Sequence, residues 1–272
     1  MIKKDMTQKP LFDPRLKRPM HVACFMSGSG TNVRKIIEHQ IHLEGERGKS
    51  PYKVVVIFTD NPERSNARII AEEHGIPLEF NDIEKFYEGK NIKDMRIREE
   101  FDENTLGLIG HYKPDIIALG GYAWWITKPI LSTYIVVNVH PGDLSVKGKD
   151  GKRKYVGLHH IPPMKAILAG EKYLHSSSHI VTEKHDMGPI LVISKPLQVE
   201  MPYGITLEDL KKPENKQFLI RLCKEHQDRL KKVGDWEIFP LTLQWIAEGR
   251  FAIDERMNVY FDGILIKDGH RL

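Results

Sequence analysis

Apolar residues along this chain fall in short, near-continuous runs separated by stretches with helical spacing. His21–Met26 reads HVACFM, Lys53–Phe58 reads KVVVIF, Asp115–Gly120 reads DIIALG and Ile135–His140 reads IVVNVH. Runs of this length and composition predict strands buried on both faces. After the Ser27-Gly28-Ser29-Gly30 break, Val33, Ile36, Ile37 and Ile41 share one helix face; Ala67, Ile70, Ala71 and His74 mark a second helix, closed by Gly75. Leu78–Phe80 predicts a further short strand, and Ile97, Phe101, Ile109 and Tyr112 fit a helix that stops before Pro114. Alternation of this kind predicts an α/β fold, doubly wound, with a mostly parallel twisted sheet and right-handed crossovers.

The pattern changes after His140. Ser145–Lys154 is a polar, basic loop, and Pro163–Ala169 is a short helix with Pro near its start. Ser177–Thr182 and Ile190–Pro196 read as paired strands bracketing His185-Asp186-Met187-Gly188-Pro189. Helices are predicted from Asn215 to Lys232 and from Trp236 to Glu248. Arg256–Leu272 reads as a terminal hairpin with turns at Asn258, Asp262-Gly263 and Asp268-Gly269. Met1–Pro19 is basic and polar with no apolar stretch after its lysines, so it predicts a flexible tail over residues 1–20 rather than a secretory signal. The remainder, 21–272, is expected to form one domain. Its first half spans about 21–135 and its second about 136–272.

Composition narrows the function classes. The chain has 272 residues, 40% hydrophobic and 29% charged, which is ordinary for a globular protein. No apolar run approaches the roughly 18 residues of a membrane span. A net charge of +4 does not call for nucleic acid and suits an anionic small molecule. Cys24 and Cys223 are expected to be reduced thiols, which fits a cytoplasmic protein. There is no HExxH and no Cys-His zinc spacing, so no metal is expected.

Ligands of doubly wound sheets lie beyond the carboxyl ends of the strands. That rule singles out Ser27–Asn32, Gly120–Ile126 and Asn138–Asp143. The Ser27-Gly28-Ser29-Gly30-Thr31-Asn32 turn opens a helix, where backbone N–H groups and the helix field favour a phosphate. Taken alone it reads equally as a plain tight turn. It is neither a Walker loop nor a full dinucleotide fingerprint, since Val33 stands where the third glycine belongs. Asn138 and His140, two apart on a strand, share a face where an amide and an imidazole can hold and protonate an oxyanion. Asp186 can orient a His or move a proton through water, although Asp is also a common turn residue. Of the adjacent Trp124 and Trp125, one can line a flat pocket for an aromatic ligand.

The order SGSGTN, PDIIALGGY, VNVHP, YVGLHH, HDMGPIL resembles the phosphoribosylglycinamide formyltransferase family, within the 10-formyltetrahydrofolate-using formyltransferases. The resemblance runs from about His21 to the terminal hairpin with two insertions. It implies the formyltransferase fold, Rossmann-like in its N-terminal half, and formyl transfer from 10-formyltetrahydrofolate to glycinamide ribonucleotide in purine synthesis. It also implies roles: Asn138, His140 and Asp186 in catalysis, and Ser29, Gly30, Thr31 and Asn32 on the substrate phosphate. Asp235 would lie on the glycinamide or ribose, and Trp124, Trp125, Ile126, Thr182, Glu183 and His185 around the folate. The partners implied are small molecules, with neither nucleic acid nor membrane, and the protein would be a monomer or homodimer. No metal or nucleotide cofactor is implied.

The chain departs from the family pattern at Ala123-Trp124-Trp125-Ile126, at Gly142-Asp143-Leu144-Ser145, in the basic insertion Lys147–Lys154, and in the lengthened helix before Asp235, where the family has Glu. These leave two other readings open: another amine acceptor such as an amino sugar nucleotide, and a non-catalytic nucleotide-binding module. The hydrolase members, with an N-terminal regulatory domain, and the methionyl-tRNA members, with a C-terminal barrel, are expected to be more distant.

Overall fold

A computed structural model describes residues 8–272. The N-terminal half contains β1 (Lys9–Pro10), β2 (Met20–Met26), α1 (Thr31–Arg47), β3 (Tyr52–Thr59), α2 (Ala67–His74) and β4 (Leu78–Phe80). It continues through α3 (Ile83–Tyr87), α4 (Met95–Ile109), β5 (Ile116–Leu119), α5 (Lys128–Thr133) and β6 (Ile135–His140). The C-terminal half adds α6 (Ile161–Leu168), β7 (Tyr173–Leu174), β8 (Ser177–Ile180), β9 (Ile190–Ile193), β10 (Leu197–Gln198) and α7 (Leu207–Lys211). It ends with α8 (Lys216–Leu230), α9 (Trp236–Ala247), β11 (Phe251–Ile253), β12 (Val259–Phe261), β13 (Ile264–Ile266) and β14 (His270–Arg271).

The central sheet has eight strands in the order β14-β9-β8-β6-β5-β2-β3-β4. Only β8 runs against its neighbours, antiparallel to both β6 and β9. The apolar runs are continuous because alternate residues enter two different cores. Val22, Cys24 and Met26 of β2 pack with α1, α2 and α9. Ala23 and Phe25 point the other way, to Phe101 and Ile109 of α4 and Ile130 of α5. A third cluster joins α6, α7 and α8 around Leu210, Leu222 and Cys223.

Two expectations need correction. Residues 1–7 of the predicted tail lie outside the described residues, but residues 8–20 are built into the fold. Lys9 and Pro10 pair with Ile253 and Ala252 of β11. Leu11 and Phe12 are buried in the main core, and Arg18 forms an ion pair with Asp115 at 2.6 Å. A two-residue strand and one apolar pair are too short to give a periodic signal, and only the distant β11 edge makes them ordered. The terminal hairpin is also shorter than predicted. β12 and β13 pair around Asp262-Gly263, whereas β14 leaves them and runs parallel to β9 at the edge of the main sheet.

If the first strand is a structural clasp, Phe12→Ala removes a 5%-exposed ring from the core and lowers unfolding free energy by about 3 kcal/mol. Urea denaturation of wild type and variant measures this, and equal midpoints contradict it.

Candidate active site

The carboxyl ends of β2, β5 and β6 open into a cleft of about 330 Å³. Its walls are the three segments that the strand-end rule singles out, together with the connection between β8 and β9 and the end of α8.

On one wall, Gly30 closes the turn into α1 at φ +66°, and a Cβ there would meet Ile70 and Met26 at 2.5 Å. Both constraints favour glycine. No side chain caps this helix start, so first-turn backbone N–H groups remain available. Ser29, Gly30, Thr31 and Asn32 all line the cleft. Opposite them α8 runs into α9 through a π turn, Lys231–Asp235, where the sequence predicts two separate helices. The one-residue offsets of a π turn re-aim side chains and are common at functional sites. Here Gln227, Lys231 and Asp235 all face the cleft. Asp235 is buried and accepts a 2.5 Å bond from Ser176 Oγ. Burial raises it to about 6 against that bond and the neighbouring Lys231 and Asn32.

On the other wall, antiparallel pairing of β6 with β8 sets Asn138 directly across from His179 and His140 across from Ser177. His140 Nε2 lies 2.7 Å from the Tyr155 carbonyl, which can only accept, so Nε2 carries the hydrogen. That leaves Nδ1 facing Asp186 Oδ2 at 3.5 Å. His179 Nδ1 bonds the Ile180 carbonyl at 3.0 Å by the same logic, and its Nε2 accepts from Asn138 Nδ2 at 3.4 Å and lies 3.7 Å from Asp186 Oδ1. His185 Nδ1 lies 2.9 Å from Asp186 Oδ2. Three imidazoles therefore surround one carboxylate that is 6% exposed.

Burial lowers His140 although Asp186 opposes it, and burial takes His179 down to about 4. Both rest neutral near pH 7. Burial pushes Asp186 up, but the His185 bond and the other imidazoles outweigh it and hold the carboxyl at about 2. The bond to Asp186 raises His185. A proton reaching His140 Nδ1 thus meets an ionised acceptor, which is the arrangement of a general acid–base pair.

The 181–189 connection that carries Asp186 is fixed at several points. Asp186 sits at φ +52°, a left-handed conformation that Asp tolerates. Arg153 donates to the carbonyls of Asp186 and of Gly188, the latter at 2.8 Å. A Cβ on Gly188 would lie 1.8 Å from the Ile180 carbonyl oxygen, so the two limbs can approach only with glycine there. Arg153 belongs to the basic insertion, which folds into a small hairpin through the Lys147–Arg153 bridge.

Trp124 and Trp125 split as adjacent residues must. Trp124 stacks on Tyr87 with centroids 5.9 Å apart, and Trp125 is 54% exposed beside His185 at 6.0 Å. Their loop is anchored from α4. Arg98 Nε donates to the Trp125 carbonyl at 2.6 Å, and Asp102 accepts from Thr127 N and Oγ1 at 2.6 Å each. Arg98 and Asp102 pair at 2.7 Å and are buried. Ile126, Thr182, Glu183 and His185 line the cleft as well.

Every site residue singled out in the sequence therefore reaches one cleft or its rim. Sequence reasoning missed His179, Tyr155, Arg153, Lys231 and the buried serines. The position of His179 across from Asn138 depends on strand register, which no motif encodes. Ser176 holds Asp235, and Ser177 Oγ donates to the Gly142 carbonyl at 2.7 Å, bracing the turn after His140. Among the described residues no group of three or more His, Cys, Asp or Glu could hold a metal ion, and no helix is long and apolar enough to cross a membrane.

The family model for formyl transferases matches residues 20–221. The chain belongs to the formyl transferase family. Among the relatives of this formyltransferase is the phosphoribosylglycinamide formyltransferase of Escherichia coli, 25% identical over 90% of this chain and 94% of the relative. The enzyme of the same name from Haemophilus influenzae is 25% identical over 92% and 97%. Among solved structures, the phosphoribosylglycinamide formyltransferase of Coxiella burnetii superposes with a TM-score of 0.65 at 24% identity, covering 94% of this chain and all of that one, and so shares its fold.

Because Asp186 is held below the ordinary 3.8, its contribution to stability is present above about pH 4 and is lost as pH falls from there toward about 2. Wild type should exceed Asp186→Asn in unfolding free energy by roughly 2 kcal/mol more at pH 6 than at pH 2.5. Urea titrations at both pH values measure it; a pH-independent difference contradicts the charged-carboxylate reading.

Proposed function

We propose that this formyltransferase moves the formyl group of 10-formyltetrahydrofolate to the amine of glycinamide ribonucleotide, as in purine synthesis. The observation that carries this reading is the meeting of Asn138, His140 and Asp186 in one cleft with an uncapped helix start. The first group suits acyl transfer and the second suits a phosphate. The names of the relatives, at full-length coverage, point to the same acceptor.

In this account backbone N–H groups of Ser29–Asn32 hold the substrate phosphate, and Lys231 adds a positive charge across the cleft. Asp235 lies against the glycinamide or ribose. Trp124–Ile126 and Thr182–His185 frame the pterin. The amine nitrogen attacks the formyl carbon, forming a C–N bond while the carbonyl electrons move to oxygen. The Asn138 amide stabilises that oxyanion, and His140 joins it once its Nδ1 has taken up a proton. The proton leaving the amine passes through the His140–Asp186 pair to N10 as the C–N10 bond breaks.

The test is steady-state formyl transfer with glycinamide ribonucleotide and 10-formyltetrahydrofolate. Wild type should turn over, and Asn138→Ala and His140→Ala should each lose on the order of a hundredfold or more in kcat. A wild type that formylates only other amines overturns the acceptor; a His140→Ala variant with full activity overturns the mechanism.

A further inference from the structure

We propose that His185 is the proton relay between solvent and the buried Asp186–His140 pair. The inference rests on the acyl-transfer reading of this cleft and adds a route that the reading needs. An amine acceptor arrives largely as ammonium, and it must release a proton to solvent before its lone pair can attack. The groups nearest the reaction have no outlet of their own. The side chains of His140, His179 and Asp186 are 4%, 2% and 3% exposed, whereas that of His185 is 40% exposed.

The connection is direct. Asp186 Oδ2 is the single oxygen facing both rings, at 3.5 Å from His140 Nδ1 and 2.9 Å from His185 Nδ1. His179 cannot substitute, because its Nδ1 is bonded to the Ile180 carbonyl and its ring is closed off from solvent. Trp125, from the loop after β5, lies beside the His185 ring with centroids 6.0 Å apart and an interplanar angle of 33°. The other charged groups near the relay are Glu183 and Lys184 on its own turn and Arg153, which grips the Asp186 backbone. Among the described residues, Asp186 is the one charged side chain within ion-pair distance of His185.

Outward transfer proceeds in balanced steps. The N–H bond at His140 Nδ1 breaks as an O–H bond forms at Asp186 Oδ2. From the Nε2–H tautomer of His185, that O–H then breaks as an N–H forms at Nδ1, and the Nε2 proton leaves to water, which returns His185 to the tautomer whose Nδ1–H faces the carboxylate. Inward transfer reverses the order.

The variant to use is His185→Asn, which retains a hydrogen-bonding amide beside Asp186 but cannot titrate. Its kcat should fall roughly tenfold or more, with the loss in kcat rather than in KM for the amine, and imidazole in the buffer should restore the rate in proportion to its concentration. Wild-type kcat in the variant overturns the relay, and so does a loss that imidazole leaves unchanged. NMR of the histidine rings decides the matter without turnover. In wild type the His140 signals should respond to protonation of His185, and in the variant the His140 titration should move to higher pH. Identical His140 curves overturn the proposal. A wild type that shows this coupling yet transfers formyl to no amine overturns the functional reading and leaves the proton path standing.

Discussion

A carboxylate removed from water is expensive unless charges or donors replace its hydration. Asp186 meets that condition through its ion pair with His185, while His140 and His179 wall it in, and much of the site can be understood as what brings the three rings there. β6 supplies His140, β8 supplies His179 one strand away, and the turn after β8 supplies both Asp186 and His185. The turn holds its shape because Gly188 lets it pass against the Ile180 carbonyl and because Arg153 binds two of its backbone oxygens. Because His185 pairs with it, the carboxylate keeps its charge, and because burial keeps His140 neutral, that ring keeps an open basic nitrogen.

Much of this was legible in the sequence. The continuous apolar runs located β2, β3, β5 and β6, because residues on both faces of a doubly covered strand must be apolar. Asn138 and His140 could be placed together because their spacing matches the strand period, and the glycine turn could be placed at a strand end. What could not be read depends on distant chain segments meeting. The pairing of Lys9 and Pro10 with β11 leaves no local pattern. Ser176, Ser177 and Ser178 look like ordinary polar strand residues, yet all three are buried and bond to Asp235, the Gly142 turn and Thr242. The π turn at Lys231–Asp235 reads locally as a helix break at Gly234, although the backbone continues through it.

The departures from the family pattern gain physical meaning in the same frame. The basic insertion is not simply a solvated charge run, because Arg153 turns inward to hold the Asp186–Gly188 turn while the neighbouring lysines stay near the surface. The Trp124-Trp125 loop is fixed by a buried Arg98–Asp102 pair from α4, which binds the Trp125 carbonyl and both the backbone and the hydroxyl of Thr127, leaving the two indole side chains unbound by it. A loop held in this way can change its two indole side chains without losing its path, which leaves the rim free to differ while Asn138, His140 and Asp186 keep their places.

The central claim is that His140 and Asp186 act as one unit in formyl transfer. A double-mutant cycle in kcat, comparing His140→Ala, Asp186→Asn and the double variant, tests it most directly. If the two residues form one proton-handling pair, the double variant is no slower than the slower single variant. If the two losses multiply, each residue acts independently and the account is wrong.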